Sequence, residues 1–173
     1  MGAAKHEAVF EGQSPDPLAS LYASEFVRLT GLAHWLVGDR SLAEELVQET
    51  FVRLVENPPR LDDSTALESY VRSALVNRSR SKIRRLRLER RHAKADVDIS
   101  NDVLPDQHVR DAVMTLPMRQ RQCVVLRFYA DQTVPEIAKT LGVTAGSVKT
   151  HLHRGLRTLA DLLGETPPTE ELR

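Results

Sequence analysis

The chain has 173 residues with 24 Lys plus Arg against 24 Asp plus Glu, so its formal net charge is zero. That length suits one ordinary domain or two small ones, and the balance argues against a uniformly basic nucleic-acid coat. Hydrophobic residues at 41% and charged residues at 28% exclude collagen-like and wholly disordered chains. With only 8 Gly, 9 Pro and 5% aromatics, amid abundant Leu, Ala, Arg and Glu, the expected fold class is all-α: two small helical domains joined by a flexible acidic linker. The single cysteine, Cys123, excludes an intrachain disulfide and a Cys-based zinc site, and its neighbours Val124, Val125 and Leu126 suggest a buried thiol. No apolar run approaches the ~18 residues that span a bilayer, and the N-terminus lacks a signal-peptide core. The expected location is cytoplasmic, without membrane insertion.

The zero is a sum of unequal blocks. Residues 36–69 and 95–115 are acidic, whereas residues 70–94 hold ten Lys or Arg against one acid, Glu89, and residues 116–163 are again basic. Such alternation points to differently charged partner surfaces, with nucleic acid the default for the basic blocks.

In chain order, residues 1–15 read as a disordered arm. From Leu18 to Val37, Leu21, Tyr22, Phe26, Leu29, Leu32, Ala33 and Leu36 follow helical spacing, and Gly38 is a stop. Ser41 to Glu44 has the form of a capping box. Ala43, Leu46, Val47, Thr50, Phe51, Leu54 and Val55 then mark the apolar face of a second helix. Its other face carries Glu44, Glu45, Gln48, Glu49, Arg53 and Glu56, either a solvated surface or an acidic docking surface. Asn57-Pro58-Pro59 ends that helix.

Thr65 to Glu68 is a further capping-box pattern, after which Tyr70, Val71, Ala74 and Leu75 open a third helix. Arg72, Arg78, Arg80, Lys82, Arg84, Arg85, Arg87, Arg90 and Arg91 wrap most of its remaining circumference. So dense a cationic surface repels itself unless a polyanion is near, which favours phosphate binding. Asn77 and Tyr70 can hydrogen-bond or stack on an exposed base. The first folded unit is placed at 16–92 and an acidic linker at 93–108.

The second unit is placed at 109–163, followed by a disordered tail, 164–173. Leu116-Pro117 introduces a helix. The stretch TVPEIAKTLGVTAGSVKTHLHRGL then holds a Thr133–Glu136 capping box, inward Ile137, Ala138 and Leu141, a turn at Gly142 and a Thr144 cap, with Val148, Leu152 and Leu156 burying the second helix. That order is that of a DNA-binding helix-turn-helix, whose second helix presents Ser147, Lys149, Thr150, His151 and Arg154 to the major groove. His151 and His153 lie about 200° apart on a helix and cannot chelate one ion. No metal site, cofactor motif or catalytic constellation is present in the sequence, so no cofactor and no enzymatic chemistry are expected.

LAEELVQETFVRLV at 42–55, YVRSALVNRSRSKIRR at 70–85 and LPMRQRQCVVLRFYADQTVPEIAKTLGVTAGSVKTHLHRGL at 116–156 together resemble bacterial RNA polymerase sigma factors of the sigma-70 family, specifically the extracytoplasmic-function group. The resemblance runs from about Leu21 to Leu163. It implies that 16–92 is region 2 and 109–163 region 4, and that the chain binds core RNA polymerase and promoter DNA and is held by an anti-sigma factor. Glu45, Leu46, Gln48, Glu49, Phe51 and Arg53 then match the polymerase-binding segment. Tyr70, Asn77, Arg78, Arg80, Lys82, Arg84 and Arg85 match the segment that recognises and melts the minus-ten element, the loop before Thr65 holding an extruded base. Thr144, Ser147, Lys149, Thr150, His151 and Arg154 match the minus-thirty-five reader. Two other readings compete: a stand-alone helix-turn-helix regulator with a dimerising or sensing N-terminal module, and a nucleic-acid enzyme. A sensing module has no need of the basic helix from Arg72 to Arg91, and an enzyme should show convergent carboxylates.

Overall fold

In a computed structural model, residues 17–59, 64–92 and 107–164 are described. They form seven helices and no strand: α1 (Pro17–Val37), α2 (Arg40–Glu56), α3 (Ser64–His92), α4 (Gln107–Thr115), α5 (Met118–Phe128), α6 (Val134–Leu141) and α7 (Ala145–Leu163). The expected terminal arms, the loop at 60–63 and linker residues 93–106 lie outside the described residues.

α1 starts on a proline, whose missing amide costs nothing in the first turn, and stops at Gly38, which takes φ +83° while its amide donates to the His34 carbonyl at 2.8 Å. The two-residue turn makes α1 and α2 antiparallel neighbours. The cap of α2 differs from the Ser41 capping box expected. Asp39 is extended and its Oδ1 accepts from the Leu42 amide at 2.6 Å, so the helix begins one residue before Ser41. A carboxylate beside Gly38 satisfies an orphan amide and faces the positive end of the helix. α3 likewise begins at Ser64, which puts Thr65 inside the first turn rather than at the cap.

Leu32, Leu36, Leu46, Leu75, Val47, Val71 and Val76 fill the space between these three helices, each almost wholly buried; one such leucine contributes about 2 kcal/mol relative to exposure. Tyr22, Phe26 and Phe51 add an aromatic cluster with centroids 5.0 and 4.9 Å apart, the second pair edge-on. Only the first half of α3 takes part. Beyond Ser79, Ile83 and Leu86 are half-buried and Leu88 is exposed, so the 29-residue helix, about 43 Å long, carries its basic half along the protein surface.

The second module packs α5 and α7 against each other with α4 and α6 flanking. Gly155 lets α7 approach α5, since a Cβ there would lie 2.9 Å from Val124 Cγ2. Cys123 is fully buried, and burial pushes its thiol up to about 11. α4 lacks a counterpart in the sequence reading, which ran the linker to 108; the helix begins at Gln107.

The two modules are in contact. α1 packs on α4 and α5, and α3 on α6, with one hydrophobic cluster continuous through both.

Candidate nucleic-acid interface

The helix-turn-helix is built as its residues dictate. Glu136 Oε2 accepts from both the amide and the hydroxyl of Thr133, each at 2.7 Å, and these bonds hold its carboxyl below the ordinary range. Gly142 takes φ +62° at the end of α6, and the Val143 amide donates to the Ala138 carbonyl at 3.0 Å. Thr144 then caps α7, its Oγ1 accepting from the Ser147 amide at 3.1 Å and lying 2.9 Å from Ser147 Oγ. Val148, Leu152, Gly155 and Leu159 face inward.

The expected reading residues fall on the opposite side of α7. Lys149, Thr150 and Arg154 are exposed, as are His153 and Arg157, whereas Ser147 and His151 are half-buried. Thr150 Oγ1 donates to the Gly146 carbonyl at 3.0 Å, which leaves its lone pairs outward. Among the described residues neither Lys149 nor Arg154 has an ion-pair partner. Thr144 is exposed but its hydroxyl is engaged in the cap. An exposed pair of unneutralised cations on a capped helix suits an anionic, groove-shaped ligand.

The basic helix is less uniform than its composition. Arg78 is ion-paired with Glu49 of α2, and Lys82 Nζ lies 2.9 Å from Glu45 Oε1. Both cationic side chains are about four-fifths covered, at 20% and 18% exposed, so they tie α3 to α2 rather than standing free. Lys82 in turn holds the Glu45 carboxyl below its usual range. Arg85 spans 3.1 Å to Glu89 one turn on. Arg80, Arg84 and Arg87 point outward without an ion pair among the described residues, and Asn77 and Tyr70 are exposed beside them. The cations of this half of α3 left without an ion pair among the described residues are therefore Arg80, Arg84 and Arg87, with exposed Asn77 about one turn before Arg80 and Tyr70 two turns before Asn77.

On α2, Glu45, Gln48 and Arg53 are exposed and Glu49 is half-buried. Leu46 and Phe51, at 1% and 6% exposed, belong to the core and offer a partner no contact surface. Sequence reasoning missed Val52 and Val55, which are 56% and 67% exposed. With Glu45 and Gln48 they fall at spacings of three, four and three residues, a stripe that fits the seam of a helical partner. That spacing was readable; the apolar face assigned to Val55 concealed it.

Between the start of α3 and α6 lies a polar cleft of about 360 Å³, lined by Glu68, Ser69, Arg72, Gln132, Glu136 and Lys139 among others. Among the described residues no group of three or more His, Cys, Asp or Glu side chains is placed to hold a metal ion. Among the described residues no helix is long and apolar enough to cross a membrane.

Two family models match the chain: sigma-70 region 2 over residues 21–89 and sigma-70 region 4 over residues 107–159. RNA polymerase sigma-E factor of Streptomyces avermitilis is 32% identical over 136 residues, 76% of each chain. RNA polymerase sigma factor CarQ of Myxococcus xanthus is 26% identical over 164 residues, 90% of this chain and 94% of that one. ECF RNA polymerase sigma factor SigK of Mycobacterium tuberculosis is 26% identical over 167 residues, 88% of each. Among solved structures, the sigma factor RpoE in complex with the anti-sigma factor NepR from Bartonella quintana superposes with a TM-score of 0.71 at 20% identity, covering 84% of this chain and 97% of that one. CnrH in complex with the cytosolic domain of CnrY gives 0.63 at 21% identity, covering 85% and 87%.

Proposed function

The chain belongs to the extracytoplasmic-function group of the sigma-70 family of RNA polymerase sigma factors, proteins that bind core RNA polymerase and direct it to promoters, and we propose how its surfaces divide that work. The exposed α2 stripe of Glu45, Gln48, Val52 and Val55, flanked by Glu49 and Arg53, docks on a helical element of core polymerase; Leu46 and Phe51 support it from beneath. Tyr70 and Asn77 receive bases of the minus-ten element as the strands separate, while Arg80, Arg84 and Arg85 hold the phosphates. Arg78 and Lys82 serve by fixing α3 to α2. Lys149 and Arg154 read the minus-thirty-five element from the major groove, with Thr150 and His151 beside them and Thr144 and Ser147 at the helix N-terminus turned to phosphate.

The observation that carries this reading is the joint presence of the two exposed, unneutralised cationic surfaces, one on α3 and one on α7, in a chain matched by both sigma-70 regions. The region 2 match and the basic α3 disfavour the stand-alone regulator. The protein performs no chemistry of its own, works in the cytoplasm and takes up to three partners: core polymerase, promoter DNA and an anti-sigma factor of the kind bound to RpoE and CnrH in their structures. Permanganate footprinting of the minus-ten region tests the assignment. Asn77→Ala should lower thymine reactivity in the polymerase complex while leaving closed-complex binding intact; unchanged reactivity refutes the melting role.

A further inference from the structure

The cleft between the start of α3 and α6 has no part in the surfaces assigned above. Its volume of about 360 Å³ is that of a small-molecule site, and both modules build it. Thr65, Glu68, Ser69 and Arg72 line it from α3, Lys139 from α6, and Gln132 from the turn before α6. Gln132 is only 5% exposed, and three hydrogen bonds fix it. Its amide donates to the Leu126 carbonyl at 3.0 Å, its carbonyl accepts from Arg127 Nη1 at 3.3 Å, and its Oε1 accepts from the buried Thr140 Oγ1 at 3.2 Å. Only Nε2 is left, and it has no acceptor among the described residues. A buried amide donor held in this way calls for an oxygen from outside the protein.

The charges around Gln132 are uncommitted. Arg72 and Lys139 make no ion pair among the described residues, and neither does Glu68. Glu136, the other carboxylate lining the cleft, is engaged, its Oε2 accepting from the amide and the hydroxyl of Thr133. Thr65 and Ser69 add hydroxyls from the first turns of α3, where the positive end of the helix favours an anion. Donors thus outnumber free acceptors. A phosphoryl group has the charge and the oxygens to meet a guanidinium, an ammonium and an amide at once. Glu68 only accepts, so its match is a hydroxyl of the same ligand. Phosphate near a helix N-terminus with a carboxylate on a sugar hydroxyl is the division of labour found in dinucleotide sites. We propose that the cleft binds a phosphorylated sugar, alone or as the ribose phosphate of a mononucleotide, with its phosphate on Arg72, Lys139 and the Gln132 amide and a sugar hydroxyl on Glu68.

The site is shared between modules: Glu68 and Arg72 belong to the first, Gln132 and Lys139 to the second, and it is complete only while α3 and α6 touch. A ligand bound there favours that arrangement by the factor 1 + [L]/Kd, about a hundredfold at a hundred times Kd. The relative placement of the modules thereby depends on a metabolite. Promoter DNA offers phosphates too, but the sugars within a DNA strand carry no free hydroxyl. Glu68 therefore separates the two sources of phosphate.

Isothermal titration of the whole chain with ribose 5-phosphate, adenosine monophosphate, inorganic phosphate and a short single-stranded oligodeoxynucleotide tests the site. Ribose 5-phosphate should bind at one site, about tenfold or more tighter than inorganic phosphate, the effect of one added hydrogen bond to a charged group. Arg72→Gln and, from the other module, Lys139→Gln should each weaken it about tenfold. Arg157→Gln, at an exposed α7 position that does not line the cleft, should not. Glu68→Ala keeps a good helix former and should erase most of the advantage over inorganic phosphate while leaving oligonucleotide binding no weaker. Melting curves of each variant without ligand check that the fold is retained. Adenosine monophosphate binding as tightly as ribose 5-phosphate marks the sugar phosphate as the whole ligand, and tighter binding marks a nucleotide; both uphold the proposal. Equal affinity for ribose 5-phosphate and inorganic phosphate, or affinity indifferent to Arg72 and Lys139, means an adventitious ion only and overturns it. No saturable binding of either ester overturns it as well and leaves the cleft to water. The titrations need no polymerase, so their outcome is independent of the sigma-factor reading.

Discussion

Arg121 completes the C-terminus of a helix that belongs to the other module: its guanidinium donates at 2.8 Å to the carbonyl of Leu36, one of the orphan acceptors of α1. A cation there also meets the negative end of the helix dipole. The same side chain closes the α4–α5 corner through the Met114 and Leu116 carbonyls. Replacing it by Met leaves buried acceptors on both modules unsatisfied. Arg121→Met should therefore cost about 2–3 kcal/mol in urea unfolding of the whole chain, and a loss below a few tenths would show that the interaction contributes nothing net.

Val52 and Val55 lie exposed on the α2 stripe, so changing them touches no core. Val52→Asp and Val55→Asp should leave the melting temperature nearly unchanged, within about 0.5 kcal/mol of wild-type stability. Core polymerase affinity should fall by about 1–2 kcal/mol each, in the range of ordinary interface positions. Titration of labelled protein with core polymerase checks both variants, and unaltered affinity removes the valines from the docking face.

On α7, Lys149→Ala and Arg154→Ala should each weaken binding to a minus-thirty-five element by about 1–3 kcal/mol if the side chain reads a base edge. Competition against scrambled duplex distinguishes the roles: a loss confined to the cognate sequence marks base readout, and an equal loss on all sequences with a shallower salt dependence marks a phosphate contact.

His34 gives the packing of α4 on α1 a pH dependence. Arg110 Nη1 lies 3.3 Å from His34 Nε2, and because a guanidinium only donates, that nitrogen must be unprotonated. Burial first, then the Arg110 charge, lower the pKa of His34 below its ordinary 6.5, with Arg40 acting the same way and Asp39 opposing. Below pH 6.5 the unfolded chain takes up a proton that the folded chain resists, so stability rises with pH through this window and is lost as pH falls. Urea midpoints should drop between pH 7 and pH 5, and His34→Gln, a neutral acceptor, should flatten that slope. A slope identical in both proteins would assign the pH dependence elsewhere.

Much of this architecture is legible in the sequence because single residues decide it. Gly38 and Gly142 need positive φ, Thr133 and Thr144 are caps, and Val148 and Leu152 repeat at helical spacing. The all-α class and the helix-turn-helix follow from such local signals. What was not legible depends on partners remote in sequence. Glu45 and Glu49 neutralise Lys82 and Arg78 from 37 and 29 residues away, so a charge count of α3 by itself overstated its free cations. Arg121 and Gln122 sit at positions whose polarity promised exposure, yet they are buried because α1 and α3 supply carbonyls. Leu46 and Phe51, by contrast, are in the core where their helical spacing puts them, although the family pattern also matches them to the docking face.

Run-off transcription with purified core polymerase on a promoter library probes the central claim most directly. The account predicts new start sites that appear only when this chain is added, that share elements near minus ten and minus thirty-five, and that fade when Lys149 and Arg154 are both replaced by Ala. A chain that yields no new start sites and does not co-purify with core polymerase would contradict it.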